Sequence, residues 1–434
     1  MRFYLTILLA LHLHASAAEQ PNIIVVLADD FGWGDIGTQG GVVPTPELDR
    51  MAAEGTRFTQ FYVASPICSA SRAALVTGLF PGRVRINSFL QTRKGNAECG
   101  QADFLDPKFP SLPRELKAAG YATAHIGKWH LGGGRDVDNA PKFSAYGYDL
   151  GLGTWESPEP DPDLTATDWI WSPKDKVKRW DRSRWMVDRT LDFLKMHQDK
   201  PVFVNLWFDD THTPWVPDDA ADPKAETPGQ FKSVLTEMDR QIGRLLATLR
   251  EAKGRETLVL FFGDNGALPT FAQKRVGGMR GSKLSLYEGG DRVPCIAWQP
   301  GKIPAGRVDQ ESVIGSVDLF PTLAKIAGAS SPTETDGEDV AAALAGNSIK
   351  RTRPLLWEYG RNPDSFKYPQ GRNRSPNLAI RDGKWKLLIQ DDGTSAALYD
   401  LETDANETHN VAGGNADLVS RLSSTVLAWR KSLP

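Results

Sequence analysis

Two short runs of oxygen-bearing side chains follow strongly apolar sequence. Asp29 and Asp30 come after the run Asn22–Ala28, and Asp264 and Asn265, flanked by Gly263 and Gly266, come after the run 258–262. Either run alone reads as a polar turn that caps the next segment. Brought together, three carboxylates and an amide repel one another and raise one another's pKa unless a hard divalent cation holds them, and a set of oxygens suits calcium better than zinc. Two further apolar runs end in groups that carry positive charge or move protons. Lys128 and His130 follow 122–126, and Asp209, Asp210 and His212 follow Val202–Phe208. Lys283 adds an amine within 280–288, and Arg72 adds a guanidinium. With one divalent cation among the carboxylates, Arg72, Lys128 and Lys283 would bring the site to a net charge of about +2, which suits a singly or doubly charged oxyanion ester.

Such groups meet only if the apolar runs lie side by side. The runs Asn22–Ala28, 122–126, Val202–Phe208 and 258–262 read as buried strands, separated by helical patterns at Pro46–Glu54, 111–119, 183–196 and 230–252. Gly120 and Gly254 are placed as C-terminal stops for two of these helices. Strands alternating with helices predict an α/β protein with a large, mixed, mostly parallel sheet between helices, and ligands of such sheets bind beyond the carboxyl ends of the strands. Past about residue 333 the character changes. Segments 378–388 and 396–401 read as short antiparallel strands before a last helix over 416–431, which predicts a small C-terminal α+β subdomain. The expected organisation is a signal peptide over 1–18, a catalytic domain over 19–345 and the C-terminal subdomain over 346–434.

The chain has 434 residues, 40% apolar and 24% charged, with a net charge of −3. That composition provides a large core and no basic footprint, which argues against nucleic acid and requires any anion site to be local. Arg2, an apolar run to Leu13 and small residues up to Ala18 follow the order of a secretory signal. No later segment approaches the roughly 20 apolar residues of a spanning helix, so the mature chain is expected to be periplasmic or secreted without a transmembrane segment. Cys68, Cys99 and Cys295 can form one bridge at most and lack zinc-site spacing. An odd thiol in an exported chain needs a role, and Cys68 is the candidate.

The stretch Cys68, Ser69, Ala70, Ser71, Arg72, closed by Thr77 and Gly78, resembles the signature of the formylglycine-dependent sulfatases, with Ala70 where the commoner form has Pro. The resemblance continues through 22–30, 120–132, 212–214, 263–266, 280–294 and 381–401, in the manner of the arylsulfatase A and N-acetylgalactosamine 6-sulfatase branch. It implies the alkaline phosphatase superfamily fold. It also implies a maturation enzyme that reads the motif and oxidises Cys68 to formylglycine. One calcium ion would be held by Asp29, Asp30, Asp264, Asn265 and an oxygen of the modified Cys68. In the implied chemistry Arg72 steadies the aldehyde hydrate, Lys128 and Lys283 grip the sulfate, and one hydroxyl attacks sulfur while His212, with help from Lys283, protonates the leaving alcohol. His130 then deprotonates the second hydroxyl, which expels sulfate and restores the aldehyde.

The substrate class expected from this resemblance is a sulfated carbohydrate, with specificity set by the irregular segments 155–180 and 218–227 and by the residues after the signature helix. Candidate contacts are Arg83, Asn87, Gln91, Arg93, Trp155, Glu156, Asp209, Asp210 and Trp215, which mix polar groups with ring faces that suit sugars. His125 fits a core position better than a catalytic one, and Ser69 and Ser71 lack the elbow motif of serine hydrolases. Two other readings stand beside this one. A phosphate or phosphonate ester hydrolase of the same superfamily would share the sheet but needs further metal ligands. A chain in which Cys68 stays a thiol would be a non-catalytic carbohydrate-binding protein.

Overall fold

The computed structural model describes residues 20–164, 171–332, 334–361 and 369–434. The expected signal peptide over 1–18 and part of the expected loop over 155–180 lie outside the described residues. In chain order the strands are β1 (Asn22–Ala28), β2 (Thr56–Phe58), β3 (Phe61–Tyr62), β4 (Ala122–Gly127), β5 (Leu150–Gly153), β6 (Val202–Phe208) and β7 (Thr257–Gly263). They continue as β8 (Cys295–Trp298), β9 (Arg307–Asp309), β10 (Ile314–Gly315), β11 (Leu355–Glu358), β12 (Leu378–Asp382), β13 (Trp385–Ile389) and β14 (Ala397–Asp400).

The main sheet has the order β5-β4-β6-β1-β7-β8-β2-β9. Its first five strands are mutually parallel, and β8 runs against its neighbours β7 and β2. Alternate residues of β1 enter two separate cores. Ile23, Val25 and Leu27 pack with the helices Cys68–Thr77, Leu112–Ala118 and Leu319–Ile326. Ile24, Val26 and Ala28 pack with Pro46–Glu54, Arg182–Met196 and Pro228–Glu251. A strand buried on both faces has no reason to alternate polar and apolar residues, which is why these runs are continuously hydrophobic.

The helix Pro228–Glu251 begins two residues before the expected start, because Thr227 and Gln230 form a reciprocal capping box with Pro228 in the first turn. Gly120 and Gly254 both have positive φ after their helices. In the C-terminal region the expected single strand 378–388 is two, β12 and β13, folded over a turn at Gly383. The strand β11, which the sequence pattern did not suggest, pairs with β12. This four-stranded antiparallel sheet buries one face against the helix Ala416–Ser432 through Leu387, Leu398, Leu422 and Val426. Its other residues Trp357, Ala379, Leu388 and Tyr399 join the core of the main sheet.

At that joint Lys386 is fully buried, 2.9 Å from Glu288 and 3.4 Å from Glu407. Tyr62 donates to Glu288 at 2.7 Å, while both carboxyl oxygens of buried Asp291 lack a hydrogen-bond partner. Burial drives the Asp291 carboxyl well above its usual range, with Lys386 opposing. No helix among the described residues is long and apolar enough to cross a membrane.

Candidate active site

The register of the parallel strands brings the polar runs together. Ala28 is level with Phe208 on one side and with Gly263 on the other, and Gly127 is level with Trp207. Asp29, Asp209, Asp264 and Lys128 therefore leave the sheet at one edge. Gly127 has φ of +111°, and a Cβ there would stand 2.1 Å from the Trp207 carbonyl, so the residue before Lys128 must be glycine. Asp30, His130 and Leu284 also have positive φ. Non-glycine residues in that region are strained and persist where their surroundings hold them, a common property of functional sites.

Asp29, Asp30, Asp264 and Asn265 are all fully buried. Ligand atoms of Asp29, Cys68 and Asp264 lie within 4.8 Å of one another, as do those of Asp29, Asp30 and His212. Asn265 donates its amide to Asp30 at 2.8 Å and to the Gly266 carbonyl at 2.9 Å, which orients its side-chain oxygen. That Asn265 oxygen and Oδ1 of Asp29 are buried without a hydrogen-bond partner. The Arg72 guanidinium comes no nearer than 3.5 Å to that Asp29 oxygen, so both oxygens keep acceptor capacity that a hard cation would satisfy. Burial pushes the Asp264 carboxyl up to about 8, reinforced by Asp29 and Cys68 and opposed by Arg72. Asp29 is held well below its usual range, because Lys128, His212 and Arg72 together outweigh the cost of burial.

Cys68 opens the buried helix Cys68–Thr77, and Arg72 lies one turn further along the same face. The Arg72 guanidinium spans the site. It donates to Asp264 at 2.9 and 2.7 Å and to the Lys128 carbonyl at 2.7 Å, with the Trp207 ring 5.1 Å away. Gly78 closes the helix in the left-handed conformation, with its N–H on the Ala74 carbonyl. Nδ1 of His130 lies 3.4 Å from Sγ of Cys68, and its Nε2 lies 3.0 Å from the Leu90 carbonyl and 3.3 Å from Glu156. A carbonyl can only accept, so Nε2 carries the proton and Nδ1 presents a lone pair to residue 68. Burial lowers the His130 pKa to about 4 despite Glu156, which leaves the ring neutral and basic at neutral pH.

Lys128 sits 2.6 Å from Asp29 and Lys283 sits 2.7 Å from Asp30, so both ammonium groups face carboxylates. Each has three N–H donors and retains capacity for an anion. Nε2 of His212 is 3.8 Å from Asp30, and its Nδ1 lies 2.5 Å from the Thr213 carbonyl. Burial and then Lys283 pull the His212 pKa down to about 4. His125 packs among Trp129, Phe143, Tyr148 and Trp207 in the core. Cys99 and Cys295 are buried and are not bridged to each other.

The expected substrate contacts divide. Glu156 joins the site through His130, and Arg135, 2.9 Å from Glu156, stands over the Trp155 ring. Asp209 is gripped by buried Arg179 and Arg182, and Asp210 accepts from Ser183 at 2.6 Å. Burial, reinforced by Asp209, raises Asp210 to about 6. The structure does not bring the others to the catalytic groups as polar contacts. Arg83 pairs with Asp336 at 2.8 Å, Arg93 ties together Asp103, Asp138 and Asn139, and Asn87 and Gln91 bond within their own loop to Gly100 and Cys99. Trp215 is wholly inside the core between Phe231 and Phe271, with its N–H on the Thr211 carbonyl, so it offers no face to a sugar. It sits so close to His212 in sequence that only packing could separate a stacking plane from a core ring.

Sequence reasoning passed over Arg179, Arg182, Asp35 and Arg275. Arg275 grips Asp35 at 2.8 Å and the Asp30 carbonyl at 2.7 Å, which fixes the loop that carries Asp30. Their signal is the occurrence of arginines in segments that bury them, which is visible only after folding.

The sequence relations agree with this geometry. Residues 21–329 match the family model described as Sulfatase, and residues 282–431 match the model described as N-sulphoglucosamine sulphohydrolase, C-terminal. The chain is 35% identical over 380 residues to the N-acetylgalactosamine-6-sulfatase of Canis lupus familiaris, covering 80% of this chain and 70% of the relative. It is 31% identical to human arylsulfatase A, covering 95% and 87%. A solved structure described as Ps i-CgsB superposes with a TM-score of 0.75 at 25% identity, over 95% of this chain and 93% of the other. With a signature helix, a catalytic edge and relatives of this extent all in agreement, the chain belongs to the sulfatase family and is a sulfuric ester hydrolase.

Proposed function

We propose that this sulfatase removes sulfate from a terminal sugar of a sulfated polysaccharide or glycosaminoglycan, with residue 68 matured to formylglycine and one calcium ion at the strand ends. The observation that carries the reading is the lone pair of His130 held 3.4 Å from the side-chain tip of residue 68. In its matured form residue 68 supplies an aldehyde hydrate, whose hydroxyl is a nucleophile that a thiol cannot replace. Asp29, Asp30, Asp264 and Asn265 would hold calcium, which supplies Lewis acidity toward a sulfate oxygen.

The chain's own groups then do the following. Arg72 orients the first turn of the helix and neutralises Asp264. Lys128 and Lys283 present N–H donors to the sulfate oxygens while anchored by Asp29 and Asp30, and Lys283 also assists His212 at the departing oxygen. His130, neutral at pH 7, takes a proton from residue 68 and returns it to bulk through the Glu156 side. The Thr213 carbonyl occupies Nδ1 of His212, so Nε2 handles the proton delivered to the departing oxygen, and a bound anion raises its proton affinity. Export to the periplasm or outside the cell, after loss of residues 1–18, belongs to the same reading, as does a maturation enzyme.

The test is twofold. The peptide containing Cys68, taken from protein made in its native host, is weighed for the loss that marks thiol replaced by aldehyde. The same protein is then assayed on 4-nitrophenyl sulfate, 4-nitrophenyl phosphate and 6-sulfated N-acetylgalactosamine. Conversion with preference for sulfate is expected. An unconverted thiol in a protein that still cleaves sulfate, or faster turnover of the phosphate, overturns the reading.

A further inference from the structure

The loop that carries Lys283 is held from two sides. At its middle the Lys283 N–H donates to the Ala267 carbonyl and the Leu284 N–H to the Pro66 carbonyl, each at 2.9 Å, while its flanks are held by the C-terminal region. At its first end Arg280 donates to the Arg372 carbonyl at 2.7 Å, to the Tyr399 hydroxyl at 3.0 Å and to the Glu407 carbonyl at 3.0 Å. At its far end the Glu288 N–H donates to Glu407 Oε2 at 2.7 Å. Between them Gly281 donates to the Asn373 side chain at 3.2 Å, and Ser285 donates to the Asn373 carbonyl at 2.7 Å. Glu407 thus clasps both ends of the loop, one with its carbonyl and one with its carboxyl group. Glu407 and Leu284, the residue after Lys283, both have φ in the left-handed region, at 53° and 72°. Two non-glycine residues held there, one at the clasp and one beside the amine, mark a loop whose shape is imposed by its contacts.

We infer that Glu407 is a positioning residue for the sulfuryl-transfer step: it fixes the 280–288 loop so that the Lys283 ammonium reaches the bond between sulfur and the departing oxygen. The C-terminal subdomain is on this account part of the catalytic device. The inference rests on the role given to Lys283 under the proposed function. Glu407 touches neither substrate nor metal ligands; it acts through the backbone of the loop. Burial raises its carboxyl to about 7, with Lys386 opposing, so a neutral side chain of the same shape can stand in for it.

The experiment compares Glu407→Ala with Glu407→Gln in the full-length, matured enzyme. Each is assayed on 4-nitrophenyl sulfate, whose leaving group needs little help from an acid, and on a 6-sulfated N-acetylgalactosamine, whose alkoxide leaving group needs much. A displaced ammonium slows the sugar sulfate most, so Glu407→Ala should lose on the order of 10²-fold in kcat on the sugar and about tenfold less on the aryl ester. Glu407→Gln, which keeps an acceptor for the Glu288 N–H, should restore most of the sugar rate. Gly281 backbone support is tested separately with Asn373→Ala, which should show the same leaving-group bias to a smaller extent. Equal losses on both substrates, or a Gln variant as impaired as the Ala variant, overturn the inference. The wild-type rates on the two esters report on the proposed function independently of either variant.

Discussion

Lys386 sits where the two sheets meet, and its removal gives a sharp test of what joins them. Methionine matches the length of the lysine side chain without its charge, so Lys386→Met removes a cation and leaves Glu288 and Glu407 facing each other in a fully buried space. The wild-type Glu288 carboxyl is pulled from 4.5 to about 2, chiefly by Lys386 acting against the cost of burial. That difference corresponds to about 3 kcal/mol of stability, in line with the roughly 3–5 kcal/mol cost of breaking a buried pair. The sign follows from the direction of each shift. Glu288, depressed, stabilises the fold above its unfolded pKa and loses that contribution as pH falls through about 2. Lys386, raised, contributes below its unfolded pKa and loses the contribution only at strongly alkaline pH. In the variant Glu288 joins Glu407, already raised in the wild type, in having a raised pKa, so the fold binds protons more tightly than the unfolded chain and weakens as pH rises. Urea unfolding should therefore show a deficit of about 3 kcal/mol at pH 8 that shrinks toward pH 5. A deficit below about 1 kcal/mol at pH 8, or one that is flat between pH 5 and 8, would refute this account of the joint.

Three further outcomes follow from the site. Glu156→Gln removes the charge that supports His130, so kcat on 4-nitrophenyl sulfate should fall about tenfold or more with unchanged melting temperature, and an unaltered kcat would separate Glu156 from the base. Chelation should abolish hydrolysis and lower the melting temperature, with recovery on calcium and not on zinc; saturating calcium at 100 times its Kd is worth about 2.7 kcal/mol. Recovery on zinc alone would replace the assignment of the oxygen cluster. Trp215→Ala should cost about 3–5 kcal/mol of stability, because the ring fills the core between Phe231 and Phe271. A variant of normal stability with a raised KM would place the ring in the substrate site after all.

Much of the fold was legible because its central strands are buried on both faces. A run such as Val202–Phe208 is too short for a helix or a bilayer span and is rich in β-branched and aromatic residues, which marks it as a core strand. The strands β2, β9 and β11 have three or four residues each, too short for any period to show. The clustering of Asp29, Asp30, Lys128, His130, His212, Asp264 and Asn265 was legible because each follows the end of a parallel strand and the register levels those ends. Polar residues in loops carry no such marker. Glu156 and Trp215 look alike as candidates in the sequence, yet one bonds to His130 and the other is walled in by phenylalanines.

The sequence by itself determined which groups are available: a cysteine in a stretch that resembles the family signature, a set of oxygen-bearing side chains, and amines and imidazoles after apolar runs. Those are properties of residue types and of their order along the chain. Only the tertiary structure decided which nitrogen of His130 faces residue 68, which aromatic rings are buried, and that Glu407 holds the loop of Lys283 from more than a hundred residues away. Tautomer, burial and long-range clasps depend on distances between segments far apart in the chain. Local periodicity and composition carry no information about those distances until packing sets them.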